Sequence, residues 1–177
     1  QDLNGFAERF KRSPSRAAFE SADELARATR ELQAEGLRRQ VGRIRTTTGL
    51  AGFVVTEISD QTWEANGLLE FDGTAKPALD AVRPVAAPRV LLVDGLPPSC
   101  WAGEDLACRV LLAGAAQDGA AHLEWRLAGE RRGTQAVNVA GGVEPREIAR
   151  LQFAAPLIEI PQWIELHARL DVVDKVL

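Results

Sequence analysis

Residues 50–85 read LAGFVVTEISDQTWEANGLLEFDGTAKPALDAVRPV, and the reading of this stretch decides the fold. Leu50 to Ile58 is almost continuously apolar until Thr56 and Glu57. A half-exposed strand alternates apolar and polar residues, whereas a strand covered on both faces reads as an unbroken apolar run. The run is therefore expected to be a buried strand. It ends in a dense polar and aromatic segment holding Glu57, Asp60, Trp63, Glu64 and Asn66, with Gly67 as a turn. Lys76 and Pro77 then open a helix whose apolar side is Ala78, Leu79 and Val82, with Pro suited to a first helical turn. A buried strand that delivers polar residues at its C-terminal end and is followed by a helix is how α/β folds build ligand sites.

Upstream, Ser21 and Glu24 have capping-box spacing and predict a helix start. Leu25, Ala28, Leu32, Gly36, Leu37, Val41 and Ile44 follow at helical spacing, and Thr46 to Gly49 end the helix. Gly36 is expected to mark a kink or a close approach to a neighbour. Residues 1–20 read as an irregular lead with a short helical turn at 3–11 and Phe6, Phe10 and Phe19 packed against a partner surface. The helix carries Arg27, Arg30, Arg38, Arg39, Arg43 and Arg45, with Asp23, Glu24, Glu31 and Glu35 among them. That mixture describes a solvated face; no aromatic platform accompanies the arginines, as a phosphate-binding stripe would need.

Downstream, the region 86–177 alternates as an antiparallel β domain does. Expected strands are Val90–Val93, Leu106–Ala113, His122–Leu127, Thr134–Val139, Glu147–Phe153 and Trp163–Val173, with a turn at Gln117–Gly119. Six or seven short strands in this span fit an immunoglobulin-like sandwich. Trp125 is expected in its core, while Trp101 is either an exposed sugar-stacking platform or an interdomain contact.

Bulk properties narrow the functional classes. The chain has 177 residues, is 46% hydrophobic and 26% charged, and carries a net charge of -4. This is the balance of a globular protein, and the acidic surplus argues against a nucleic-acid partner. No apolar run reaches membrane-spanning length, so no membrane partner is expected. The compartment is either cytoplasmic or, after signal removal, exported. Two cysteines and two histidines show no metal-ligand spacing, so neither metal nor cofactor is expected, and Cys108 reads as a small buried hydrophobe. There is no methionine, the first residue is Gln and the last residues, DVVDKVL, read as a strand. Both ends are thus expected to lie inside a longer protein.

A sugar ring has apolar faces and a hydroxyl rim, so a Trp beside Asp, Glu and Asn suits one. The same residues equally well cap a strand and hold its loop. Here a family resemblance adds to the reading. Gly52 through Asp60, then Glu64 through Asp72 (EANGLLEFD), then Lys76 and Pro77, resembles the last strand, loop and helix of the catalytic barrel in glycoside hydrolase family 2, which includes β-galactosidases, β-glucuronidases and β-mannosidases. Gly52, Asp60, Asn66, Gly67, Leu68, Asp72, Lys76 and Pro77 occupy the corresponding places, while Gly73, Thr74 and Ala75 replace the usual basic residue before the lysine.

The resemblance implies an α+β fragment. Residues 1–85 would be the remnant of a (β/α)8 barrel end, arranged helix–strand–helix, and residues 86–177 the following immunoglobulin-like β-sandwich. Glu57, Asp60, Trp63, Asn66 and Lys76 would form or support the rim of the sugar pocket. The family's two catalytic glutamates follow its fourth and seventh barrel strands, and neither segment has a counterpart here, so no catalytic residue is assigned. The parent would hydrolyse β-linked O-glycosides, with the carbohydrate substrate and the remainder of the parent chain as partners; the exposed strand edges offer a route to self-association. The alternative is a non-catalytic carbohydrate-binding or interdomain structural module, which an exposed Trp101 or Trp163 in a groove would favour.

Overall fold

A computed structural model describes residues 5–62, 64–114, 118–140 and 142–172. The chain divides into two compact units, Gln1–Val41 with Gly52–Val85, and Gly42–Ala51 with Ala86–Leu177.

The first unit contains α1 (Phe6–Lys11), a 3-10 turn at Pro14–Ala17, most of α2 (Ala22–Arg45) and α3 (Pro77–Val85). The α2 start follows its capping signal, with Glu24 N donating to Ser21 Oγ at 3.1 Å. The Glu24 carboxylate accepts from Glu20 N at 2.7 Å, one residue earlier than a capping box would place it. One orphan amide of the first turn is satisfied, together with the amide that precedes the cap. Thr46 and Thr47 close the helix by donating their hydroxyls to Arg43 O, and Gly49 takes the left-handed conformation just beyond. The inward face of α2 holds the expected Leu25, Ala28, Leu37, Val41 and Ile44, with Leu32 the exception and Ala34 added. Leu32 is exposed, whereas Ala34 and Val41 are buried. A Cβ at Gly36 would meet nothing within 4 Å, so that glycine marks no close approach. Phe10 is buried and Phe6 is exposed.

The run at 50–58 is not a strand, which corrects the helix–strand–helix expectation. Among the described residues no strand pairs with it. Phe53, Val55 and Glu57 are half-buried while Val54, Thr56 and Ile58 are exposed, Val54 at 86%. The segment is therefore covered on one face only, with period two. An apolar run becomes a strand when neighbouring main chains take up its amides and carbonyls. Here the first partners appear at its end, where Leu68 N and Leu69 N both donate to Ile58 O, at 2.9 and 2.8 Å.

The second unit is built from two three-stranded antiparallel sheets. Its strands are β1 (Arg89–Asp94), β2 (Asp105–Gly114), β3 (Gly119–Leu127), β4 (Glu130–Val139), β5 (Arg146–Ala154) and β6 (Leu166–Val172). The sheet orders are β1-β2-β5 and β4-β3-β6. The inward residues of both sheets meet in one core: Cys108, Val110, Leu112, Ala149 and Leu151 from one, and Ala121, Leu123, Val137 and Val139 from the other. Alternation fixes which side faces in, because His122 and Arg126 are exposed while Leu123 and Leu127 are buried. Trp125 lies half-buried against this core with its ring 5.5 Å from that of Phe153. The indole covers Gly133 across the β3–β4 pair, where a Cβ would fall 2.5 Å from Trp125 Nε1. Cys108 is a buried free thiol, its pKa pushed up by desolvation, and Cys100 is an exposed one.

The second half of β2 is buried on both faces. The register shifts between Val110 and Leu111, and Leu111 and Ala113 join Leu92 in a separate small cluster. The Gly42–Ala51 segment lies against this outer face. A Cβ at Gly42 would stand 3.8 Å from Leu92 Cδ2, and Arg45 Nη2 donates to Ala113 O at 3.4 Å. Strand β6 starts at Leu166, so Trp163 precedes the sheet and is solvent-exposed. Gln117 and Val173 lie outside the described residues.

Leu123, fully buried between the sheets, sets the scale of this core. Leu123→Ala is expected to lower unfolding free energy by about 3 kcal/mol, measured by urea denaturation, because the cavity adds to the lost transfer energy. An unchanged midpoint would contradict the shared two-sheet core.

Candidate functional site

The polar segment after the apolar run closes on itself around one ion pair. Lys76 is 2% exposed, and its Nζ donates to three acceptors: Asp60 Oδ1 at 2.9 Å, Asp60 Oδ2 at 3.2 Å and Ala65 O at 2.9 Å. An ammonium has three protons, so its donor capacity is used in full. Asp60 Oδ1 also accepts from Gly67 N at 2.9 Å. A buried charge is tolerated only when paired and hydrogen-bonded in this way.

The main chain reinforces the closure. Asp60 N donates to Leu69 O at 2.9 Å and Lys76 N to Leu68 O at 3.0 Å. Ser59, Leu69 and Ala75 meet in isolated bridges, so three short extended pieces run side by side. Gly67 sits at their crossing. A Cβ there would fall 2.5 Å from Asp60 N and 2.5 Å from Ser59 C, both backbone atoms that cannot move aside. Glycine is required at 67 by this close approach. Beyond it, Glu70 N donates to Thr74 O at 2.7 Å, and Asp72 Oδ1 accepts from Thr74 N at 2.9 Å, closing the turn that carries Gly73. That bond holds the Asp72 carboxyl below its ordinary range. Lys76 O accepts from Leu79 N at 3.0 Å, so the residue that plugs the loop also begins α3.

Helix α2 braces the loop from one side. Gln33 Nε2 donates to Asn66 O at 2.7 Å and to Gly67 O at 3.2 Å, and Arg30 pairs with Glu70 at 3.0 Å. Sequence reasoning did not single out Gln33. A lone Gln on a charged helix carries no signal of a contact 33 residues away.

Five residues were expected at the site, and they divide by placement. Asp60 and Lys76 are in direct contact. Since Lys76 is buried and fully bonded, it supports the loop rather than offering a donor to a ligand. Asn66 is held through its carbonyl, and its side chain is exposed. Glu57 stands beside Glu64 and Asp60, and its pKa is raised, chiefly by a carboxyl–carboxyl hydrogen bond with Glu64, then by desolvation and the neighbouring negative charges. Glu57 Oε2 is shielded from solvent and meets no hydrogen-bond donor among the described residues. Trp63 lies outside the described residues.

The arrangement offers two things chemically. It fixes a loop whose conformation is set by a buried ion pair, and it holds Glu57 beside two further carboxylates that raise its pKa. Such a carboxyl, when protonated, is a hydrogen-bond donor as well as an acceptor. Among the described residues no group of His, Cys, Asp or Glu could hold a metal ion. No helix among them is long and apolar enough to cross a membrane.

No protein-family model matches the chain, and no curated protein matches it either.

The Glu57 shift makes a pH-dependent prediction. A raised folded-state pKa means that the folded protein binds the proton more tightly than the unfolded chain does. Stability from this group is full below the ordinary glutamate pKa of 4.5 and is lost as pH rises through the folded value. Glu57→Gln mimics the protonated form. It is expected to raise the urea midpoint at pH 7 and to leave it unchanged at pH values below the ordinary range. A midpoint lowered at pH 7 would contradict the carboxyl pair.

Proposed function

We propose that this chain supplies the closing end of a glycoside hydrolase family 2-like barrel, followed by an immunoglobulin-like sandwich, and that the parent enzyme cleaves β-linked O-glycosides. In this reading the chain is inactive alone. Its residues 57–76 form part of the rim of the sugar cleft, and the catalytic glutamates come from the rest of the barrel.

The observation that carries this reading is the Asp60–Lys76–Gly67 knot. Asp60, Gly67 and Lys76 are three of the positions through which the segment resembles the end of that barrel, and Gly67 N and Lys76 Nζ both donate to the Asp60 carboxylate. Family-like positions scattered over unrelated surface would give no such closure. The knot presets a polar loop at the end of an apolar run, and a preset loop is what a site must have to orient a substrate. The one-sided covering of Phe53, Val55 and Glu57 is also consistent with a barrel stave. Its exposed Val54 and Ile58 are what a second layer would cover, and its main chain is what neighbouring strands would pair with.

A direct test uses a polypeptide extended upstream through the whole barrel, assayed on nitrophenyl β-galactoside, β-glucuronide and β-mannoside. Hydrolysis of at least one is expected from the extended polypeptide and none from the 177-residue chain. In the extended polypeptide, Gly67→Ala should lower kcat/KM by about 10–100-fold, because misplacing the rim by an ångström costs that much. An extended polypeptide inert towards all three, or hydrolysis by the 177-residue chain itself, would overturn the proposal.

A further inference from the structure

The antiparallel order of the second unit gathers several loops at one pole. The C-terminal ends of β3 and β5 and the N-terminal ends of β2, β4 and β6 all lie there, because Leu127 pairs with both Glu130 and Leu166 while Asp105 pairs with Ala154. The loop before β2 and the segment between β5 and β6 are tied together at this pole. Gly103 N donates to Ala155 O at 3.1 Å, and Ala155 N donates to Glu104 O at 2.8 Å. The same segment is tied to the β3–β4 turn by Ala128 N, which donates to Glu165 O at 3.0 Å. The Arg45 contact to Ala113 is at the opposite end of β2.

Two indoles stand in solvent on these loops, Trp101 at 85% exposure and Trp163 at 84%. Trp163 lines a cleft of about 400 Å³ together with Gly129, Pro156, Ile158, Gln162 and Glu165. That volume is within the range of small-ligand clefts, about 300–1,000 Å³. Exposing an indole gives up the largest apolar surface any side chain can bury, so a wall made of one calls for an occupant.

We infer that this cleft binds the rings of a β-linked saccharide, with the Trp163 indole as the stacking face and Gln162 and Glu165 as the hydroxyl-binding rim. The choice of a β-linked saccharide rests on the function proposed above. The lining argues for it over a protein surface. The Glu165 carboxylate, 2.8 Å from His167 Nε2, stands two residues from the indole and shares its cleft. The centre of a protein interface is depleted of charge, since a charge buried there must be matched. A sugar presents both surfaces at once, an apolar ring face for the indole and hydroxyls that donate to a carboxylate or exchange bonds with a carboxamide. Leu157 and Ile160 are exposed nearby and make a second copy of the chain the competing occupant.

The test titrates the full chain with β-1,4-linked hexasaccharides of glucose, mannose and galactose, following heat release, with sedimentation of the free protein alongside. At least one saccharide is expected to bind, roughly tenfold or more weakly in Trp163→Ala, with most of the affinity kept by Trp163→Phe. Glu165→Gln should weaken binding too, while the thermal melts of all three variants stay that of the parent. No binding of any of the three, equal binding by Trp163→Ala, or a dimer that Trp163→Ala dissociates would each overturn the inference. Its failure is distinct from that of the enzymatic reading: hydrolysis by the extended polypeptide without binding here removes only this cleft, and Trp163-dependent binding without hydrolysis removes only the enzyme.

Discussion

A buried ammonium sets the terms for the first unit. Lys76 lies out of water with every proton committed, two contacts to Asp60 and one to Ala65 O. Desolvating a lysine costs several kcal/mol, and the cost is offset only if the carboxylate and carbonyl stay in place. The pair therefore works as a constraint as much as an attraction. It holds residues 60, 65, 67 and 76 at fixed separations, and the chain between them must follow. Replacing such a pair with apolar residues is often neutral for stability, so the value of this one is in geometry. A loop held by charge keeps its shape while leaving the outer side chain of Asn66 to face solvent.

The rest of the loop is arranged to let that pair form. Gly67 removes the one Cβ that would hold the Asp60 backbone away. Gln33 satisfies the Asn66 and Gly67 carbonyls from outside. Pro77 follows Lys76 directly and starts α3, so the helix begins where the plug sits. Glu57 contributes in the other direction. Its carboxyl is crowded by Glu64 and Asp60, and the repulsion is relieved by a proton. One loop thus holds a satisfied pair and an unsatisfied one side by side.

Much of the second unit was legible because alternation is a local signal. His122, Glu124 and Arg126 opposed to Leu123, Trp125 and Leu127 give the face of β3 without knowledge of its neighbours, and the strand follows. The start of β6 was not legible in the same way. Ile164 continues the alternation of Leu166, Ala168 and Leu170, and only the pairing of Leu166 with Leu127 shows where the ladder begins. The irregular course of the apolar run at 50–58 is not legible for a related reason. Apolar continuity alone does not establish that both faces are covered, and here Val54 and Ile58 are open. The loop's polar residues were legible as a group. Their pairing was not, because the contact between residues 60 and 76 is set by tertiary closure, which no spacing rule encodes.

The account stands or falls on whether Asp60 and Lys76 act as one unit. A double-mutant cycle with Asp60→Asn and Lys76→Met measures this directly, by urea denaturation of the two single variants and the double. The account predicts that each single change costs about 3–5 kcal/mol and that the double recovers at least about 2 kcal/mol of their sum, since removing both charges strands neither. Additive costs, with coupling under about 0.5 kcal/mol, would mean that the pair does not hold the loop and would contradict the central claim.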